Sequence, residues 1–107
     1  MTYRQFWPLY LREHARPLNR ALHIIGTLAA LAVLVLALAT GEPWLVLATL
    51  ALGYGFAWIG HVLVERNRPA TFRHPLYSLL GDLHMTASFL TGRLGAELKR
   101  HGIHPPL

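Results

Sequence analysis

The sequence has no cysteine and few charged side chains. Without cysteine, neither a disulfide framework nor a thiolate metal site is possible. Only 14% of the 107 residues are charged, against about 25% in an ordinary soluble domain. Together with a mean hydropathy of +0.35, this deficit indicates a membrane protein. The length allows a single domain, residues 1–107.

Acidic side chains are the scarcer of the two charge types, five against ten basic ones, and the net charge is +5 with histidine neutral. The arginines flank apolar segments, as at cytoplasmic membrane margins, and do not line the polar face that a nucleic-acid-binding domain needs. We therefore expect a lipid bilayer, and no nucleic acid, as the partner. What the chain has in excess is histidine, seven residues in all, and imidazole is the commonest protein metal ligand.

Two apolar runs dominate the chain. Residues 22–40 contain only His23 and two threonines as polar side chains, and as a helix they cover about 28 Å, close to one hydrocarbon thickness. After a turn at Gly41, Glu42 and Pro43, residues 44–64 form a second run with His61 as its one strongly polar side chain. The runs predict a two-helix transmembrane hairpin. Because arginines lie outside both ends of the hairpin, both termini are expected to be cytoplasmic.

The flanking segments predict two more helical elements. Residues 2–14 mix aromatic and charged side chains, which predicts an N-terminal amphipathic arm lying in the interface with its aromatic rings at headgroup level. Residues 76–98 predict a third helix, interfacial or re-entrant, whose apolar stripe packs against lipid or a partner. That stripe consists of Leu76, Leu80, Leu83, Ala87, Leu90 and Leu94. The predicted fold class is an all-α integral membrane protein.

The hairpin brings the histidines together, because the start of its first helix and the end of its second lie at the same depth. His23 and His61 therefore share one membrane face, with His14 and His74 next to them. Either intramembrane histidine alone would be explained by a hydrogen bond between the helices, but four histidines with Glu65 and Asp82 on one face favour a metal site. His14 could instead contact lipid headgroups, and His74, just before Pro75, could equally be a helix-start residue. The residues leave Fe, Zn, Cu and Ni open. The candidate catalytic carboxylates are Asp82 and Glu65, although Glu65 can also be read as a surface partner of a neighbouring arginine.

Further residues are placed to support such a site. Asn19 and Asn67 are candidates for orienting the imidazoles. By default the arginines are membrane anchors, but guanidinium groups also bind carboxylates in bidentate fashion. An acyl chain could lie along the aromatic stripe of the second helix. The candidate substrate-binding residues are Arg20, Arg68, Arg73, Tyr54 and Trp58.

Two stretches carry a resemblance to a known family: YLREHARPLNRALHIIGT and YGFAWIGHVLVERNRPATFRHPLYSLLGD. They closely resemble a family of small membrane proteins, long a domain of unknown function, that includes the fungal iron(II)-dependent 2-hydroxy fatty acid dioxygenase. The resemblance covers roughly residues 6–93. It implies an enzyme that uses Fe(II) and O2 to shorten a 2-hydroxy fatty acid by one carbon. Family histidines match at His14, His23, His61 and His74, so the resemblance implies that these four hold the iron.

The longer eukaryotic relatives have further apolar segments, which this chain lacks. The resemblance implies the plasma membrane if the chain is bacterial and the endoplasmic reticulum if it is eukaryotic.

Because two spanning helices form a thin bundle, we expect a homo-oligomer, most simply a dimer. The alternative is a non-enzymatic membrane protein, which either binds haem between His23 and His61 or binds acidic lipid through its arginines.

Overall fold

The computed structural model of the protein describes residues 1–68 and 73–103. Within these ranges the chain forms five α-helices and no β-strand, which confirms the all-α fold class. A π-helical turn, Gly60–Glu65, continues the third helix without a break. The helices are α1 (Tyr3–Glu13), α2 (Pro17–Thr40), α3 (Trp44–Ile59), α4 (Pro75–Leu90) and α5 (Leu94–Arg100).

The predicted hairpin is formed by α2 and α3. α2 begins at Pro17, before the apolar run, because proline is pre-organised for the first turn of a helix and needs no N–H partner there. It ends where Gly41 takes a left-handed conformation (φ 72°) and donates its N–H to the carbonyl of Ala37 at 2.8 Å. The two helices approach closely at Gly26, where a Cβ atom would lie only 2.6 Å from the Cβ of Phe56.

The hairpin helices are long and apolar enough to cross a membrane. Pro17–Thr40 has 24 residues, and α3 with its π-helical turn has 22. Only 22% of the most apolar window of each is buried inside the protein. Most of their apolar surface therefore faces outward, unlike the core helix of a soluble protein, which is mostly buried.

α1 packs against protein, which differs from the expectation that its aromatic rings lie at headgroup level. Its buried side chains, together with residues of α2, α4 and α5, form the main core of the described residues. That core contains Phe6, Trp7, Tyr10, Leu11, Ile24, Met85, Leu94, Leu98 and Ile103. A capping box between Thr2 and Gln5 starts the helix. α1 is amphipathic as predicted, but its apolar face is covered by α4 and α5.

The third predicted helix, residues 76–98, is two helices in the structure. α4 ends at Leu90 because Gly92 takes a left-handed conformation (φ 74°). The N–H of Gly92 then bonds to the carbonyl of Phe89 and that of Arg93 to the carbonyl of Ser88, which is the hydrogen-bond pattern of a Schellman stop. α5 begins at Leu94. This residue, predicted to belong to the stripe that packs against lipid or a partner, is buried inside the protein.

The remaining members of the stripe on α4 are exposed, as expected of a face that meets lipid or a partner. The buried side chains of α4 are small or flexible ones on its other side, among them Ser78, Met85 and Ser88. Asp82 is partly buried and turns inward, toward α1 and α2. The fold thus places this carboxylate beside the ends of the hairpin.

Candidate metal centre

Three histidines from three different elements meet in the interior. His14 caps the end of α1, His23 lies on α2 and His61 lies in the π-helical turn. Their candidate ligand atoms all lie within 4.8 Å of one another, and all three side chains are buried. The ring centroids are separated by 4.2 Å (His14–His23), 4.5 Å (His14–His61) and 4.8 Å (His23–His61), each pair meeting edge to face. We call this group the histidine triad.

His14 is held by the turn between α1 and α2. The guanidinium of Arg20 donates to the carbonyls of His14 (2.9 Å) and Ala15 (2.8 Å), and thereby satisfies backbone groups at the end of α1. The Arg20 side chain is buried. These two bonds fix the turn, and the predicted contact of Arg20 with a substrate carboxylate stays a prediction.

His61 is presented by the π-helical turn, a helical irregularity often found at functional sites. Its carbonyl accepts the N–H groups of Arg66 and Asn67. Arg66 takes a left-handed conformation (φ 57°), which reverses the chain. Asn67 is thereby brought back to the His61 ring, with 2.6 Å between Asn67 Oδ1 and His61 Nδ1.

The hydrogen bonds of the triad fix the tautomer of each imidazole. His14 Nδ1 lies 2.6 Å from the carbonyl oxygen of Tyr10, and His23 Nδ1 lies 3.1 Å from Asp82 Oδ1. A carbonyl and a carboxylate can only accept, so both Nδ1 atoms carry the proton. The side-chain N–H of Asn67 donates to the carbonyl of Glu13 at 2.9 Å. The side-chain oxygen of Asn67 is therefore the atom that faces His61 and accepts from it. In all three rings the lone pair is therefore on Nε2.

The Nε2 atoms of His14 and His23 are buried and have no hydrogen-bond partner. Leaving a buried polar atom unpaired is costly, so such an atom calls for an explanation. A metal ion supplies one, because a ligating histidine typically donates its other N–H to a carboxylate or carbonyl. Burial, and then the neighbouring imidazoles of His23 and His61, lower the pKa of His14 well below its usual value, so this ring is neutral as a ligand must be. The residues present fit a metal ion.

Asp82 links the triad to an apolar cavity. Its Oδ1 accepts hydrogen bonds from the hydroxyl of Tyr10 and from His23 Nδ1, while about a quarter of its side chain stays exposed. The cavity, of about 340 Å³, runs between α2, α3 and α4. Its walls are otherwise largely apolar, and they include Tyr54, Leu31, Leu34, Leu50, Leu79 and Leu83. A ligand with an apolar chain and a polar end would place that end beside Asp82.

Two predicted site residues lie elsewhere. The structure does not bring His74 into the triad. It stands just before α4, and its ring contacts Phe6 (5.6 Å between centroids) and Tyr77 (5.9 Å), because Pro75 starts a helix whose first turn packs on α1. The carboxylate of Glu65 accepts the backbone N–H of Arg16 at 2.5 Å. It therefore satisfies a donor at the start of α2, and we find it tied to the backbone and not turned to the triad.

Of the other residues predicted to bind substrate, the two aromatic ones lie at the cavity and two arginines do not. Tyr54 lines the cavity, and Trp58 lies against it with 5.8 Å between ring centroids. Arg73 pairs with Glu13 at 3.1 Å on the surface, and Arg68 is exposed. Neither arginine is among the residues that line the cavity.

Asn19 and Tyr10 are the two remaining neighbours of the site. Asn19 is fully buried against Gly60, the residue that precedes His61 in the sequence. Neither polar atom of the Asn19 side chain has a hydrogen-bond partner.

Tyr10 was missed by sequence reasoning, which assigned it to the interface. Its spacing of four residues before His14 is a signal that could have found it, since residues at that spacing share a helix face.

Comparison with known proteins agrees with the motifs. The family model described as 2-hydroxy-palmitic acid dioxygenase Mpo1-like matches residues 1–94. This range contains the whole triad, Tyr10 and Asp82. No curated protein and no solved structure matches the chain.

Proposed function

The chain belongs to the 2-hydroxy-palmitic acid dioxygenase Mpo1-like family, and we propose that it is an iron(II)-dependent dioxygenase of 2-hydroxy fatty acids, which it shortens by one carbon at the membrane. The single observation that carries this proposal is the triad: three imidazoles that share one tautomer, with the Nε2 atoms of His14 and His23 buried and unpaired. The choice of iron and of substrate class rests on the family.

His14, His23 and His61 would hold the metal. Three neutral nitrogen ligands leave coordination positions open, as in non-haem iron oxygenases, where a small set of protein ligands leaves room for substrate and O2. When bound, iron(II) would supply the reaction with O2 and a template for the hydroxy acid. The protein's own part is to hold the imidazoles, to orient His23 through Asp82, and to bury the centre away from water.

The cavity between α2, α3 and α4 would bind the acyl chain. Its lining is largely apolar, and Asp82 lies at the polar end next to His23. The outward apolar surface of the hairpin supports a location in the bilayer. With arginines before α2 and after the π-helical turn, both termini would be cytoplasmic.

The alternative of a haem protein fits the geometry less well. Each pair of imidazoles in the triad is in edge-to-face contact, with centroids at most 4.8 Å apart. A haem held between His23 and His61 would need open space between the two rings. His14 lies against both of them, with centroid distances of 4.2 Å and 4.5 Å, and leaves no such space. The described residues therefore favour a single ion.

The proposal is tested by metal analysis and oxygen uptake on protein purified in mild detergent. We expect about one iron per chain, no Soret band, and oxygen uptake that requires 2-hydroxypalmitate and is not supported by palmitate. His23→Ala should remove both metal and uptake, whereas His101→Ala, at the end of α5 beside Glu97 and outside the triad, should keep both. Purified wild-type protein that holds no metal and takes up no added iron would overturn the proposal and leave the acidic-lipid-binding alternative.

A further inference from the structure

Tyr10 is linked to two of the three triad histidines through two different groups, to His14 directly and to His23 through Asp82. Its backbone carbonyl accepts from His14 Nδ1 at 2.6 Å. Its hydroxyl donates to Asp82 Oδ1, the same oxygen that lies 3.1 Å from His23 Nδ1. One residue of α1 thus sets the proton position on two ligands that come from two different helices.

We propose that Tyr10 is the positioning residue of the metal centre: it holds Asp82 against His23 and aims the Nε2 lone pairs of His14 and His23 at a common point. The proposal rests on the metal site of the proposed function and adds a residue that neither the sequence motifs nor the family assigns. It concerns metal binding, so it can be tested without substrate.

The surroundings of Tyr10 hold its ring in one place. The ring stacks on His14 with 4.0 Å between centroids and on Trp7 with 5.6 Å. On α4, a Cβ atom at Gly81 would lie 2.7 Å from two atoms of the Tyr10 ring, so the ring touches the backbone of that helix. The Tyr10 side chain is almost fully buried. Because the ring cannot turn away, its hydroxyl is a fixed donor to Asp82.

The fixed donor matters because Asp82 is partly exposed to the cavity and has two oxygens. Without Tyr10, the carboxylate could turn toward the cavity and leave His23 Nδ1 without an acceptor. The His23 ring could then rotate or exchange its proton to Nε2, which would block ligation. Loss of such an outer hydrogen-bond partner typically costs about 10- to 100-fold in metal affinity.

The first test is a titration of metal-free protein in detergent with Co(II) alone, followed by absorption. Tyr10→Phe keeps the ring and the carbonyl bond to His14 and removes only the hydroxyl, so we expect the lower end of that range, about tenfold weaker Co(II) binding. The control is Tyr3→Phe on the same helix, whose hydroxyl lies 3.0 Å from His84 Nδ1, outside the triad. Tyr3→Phe should bind Co(II) as the wild type does. Equal affinity of Tyr10→Phe and Tyr3→Phe would overturn the proposal.

A double-mutant cycle separates positioning from a general loss of packing. If Tyr10 acts through Asp82, its hydroxyl has no effect once the carboxylate is gone. The variant with both Tyr10→Phe and Asp82→Ala should therefore bind Co(II) as Asp82→Ala does. If the two losses instead multiply, Tyr10 does not act through Asp82 and the proposal is wrong.

Imidazole nitrogen-15 shifts of the wild-type, metal-free protein give a test that needs no variant. We expect His14 and His23 to show the tautomer with the proton on Nδ1, and Tyr10→Phe to change the His23 pattern while leaving that of His14. A wild-type His23 protonated on Nε2 would refute the proposal even if a variant fails to fold. Failure of the proposed function is distinct: there the wild-type protein itself binds no Co(II).

Discussion

Gly60 is the position where a single methyl group should disturb both the hairpin and the metal centre. It is the first residue of the π-helical turn and precedes His61. A Cβ atom there would lie 1.9 Å from Asn19 Oδ1 and 3.0 Å from Asn19 Cγ. Asn19 is fully buried on α2, so it cannot swing into solvent. In Gly60→Ala, either Asn19 or the turn that carries His61 must move.

The magnitude follows from a matched pair of glycines. Gly55 lies five residues earlier, in α3, and a Cβ atom there would meet nothing within 4 Å. Gly55→Ala should therefore gain the usual helix preference of alanine, about 0.5–1 kcal/mol. Gly60→Ala has the same gain but adds overpacking, which costs about 1–3 kcal/mol. Because the helix term cancels between the two variants, Gly60→Ala should be less stable than Gly55→Ala by about 1–3 kcal/mol.

The assay is denaturant unfolding in mild detergent, followed by far-ultraviolet circular dichroism, with Co(II) titration of both variants. We also expect Gly60→Ala to bind Co(II) at least about tenfold more weakly than Gly55→Ala, since ligands must be held within about 0.5 Å of their productive positions. Equal stability together with equal Co(II) affinity would refute the reasoning, because it would mean that Gly60 and Asn19 are not in contact.

Further predictions concern neighbouring features. His74→Ala should retain full Co(II) affinity in the same titration, because its ring contacts Phe6 and Tyr77 and not the triad. Arg20→Ala should lower the free energy of unfolding by about 2–5 kcal/mol in the denaturant assay and weaken Co(II) binding, since two charge-assisted hydrogen bonds that hold the His14 turn are lost. Gly53→Phe should fill the cavity that Gly53 lines and raise the KM for long-chain 2-hydroxy acids more than for short-chain ones in oxygen-uptake assays. Light scattering in detergent should give a dimer, since the leucines of α4 remain exposed; a fully active monomer would contradict this.

The hairpin could be predicted from the sequence because its signal is local. Two long apolar runs separated by a Gly-Glu-Pro turn allow one arrangement of helices in a bilayer, and that arrangement brings His23 and His61 to the same depth. The end of α4 was missed although its signal is also local. The predicted helix over residues 76–98 has Gly92 in its interior. In the structure the left-handed conformation of Gly92 stops the helix at Leu90.

The detail of the metal centre could not be predicted because it depends on contacts between distant parts of the chain. Tyr10 and Asp82 are 72 residues apart, and Glu65 and Arg16 are 49 apart. Each pair meets only because α1, α4 and the π-helical turn close on the start of α2. The resemblance likewise implied that His74 holds the metal with the three triad histidines, whereas its place before Pro75 is equally typical of a helix start. The packing of its ring on α1, which separates it from them, has no signature in the local sequence.

The charge balance of the proposed metal centre gives a physical reason for the apolar cavity that Asp82 connects to the triad. Three neutral imidazoles do not compensate a divalent ion, and the nearest carboxylate, Asp82, already accepts from Tyr10 and His23. In a buried site of low dielectric constant, an uncompensated charge strongly favours an anion as the next ligand. An anion reaches this depth at least cost when it is attached to an apolar chain that fills the cavity, about 0.8 kcal/mol being gained for each buried CH2 group. If the triad holds a divalent ion, as proposed, a fatty acid would meet both requirements, with its carboxylate at the metal and its chain between α2, α3 and α4, whereas a soluble hydroxy acid of the same headgroup would meet only the first.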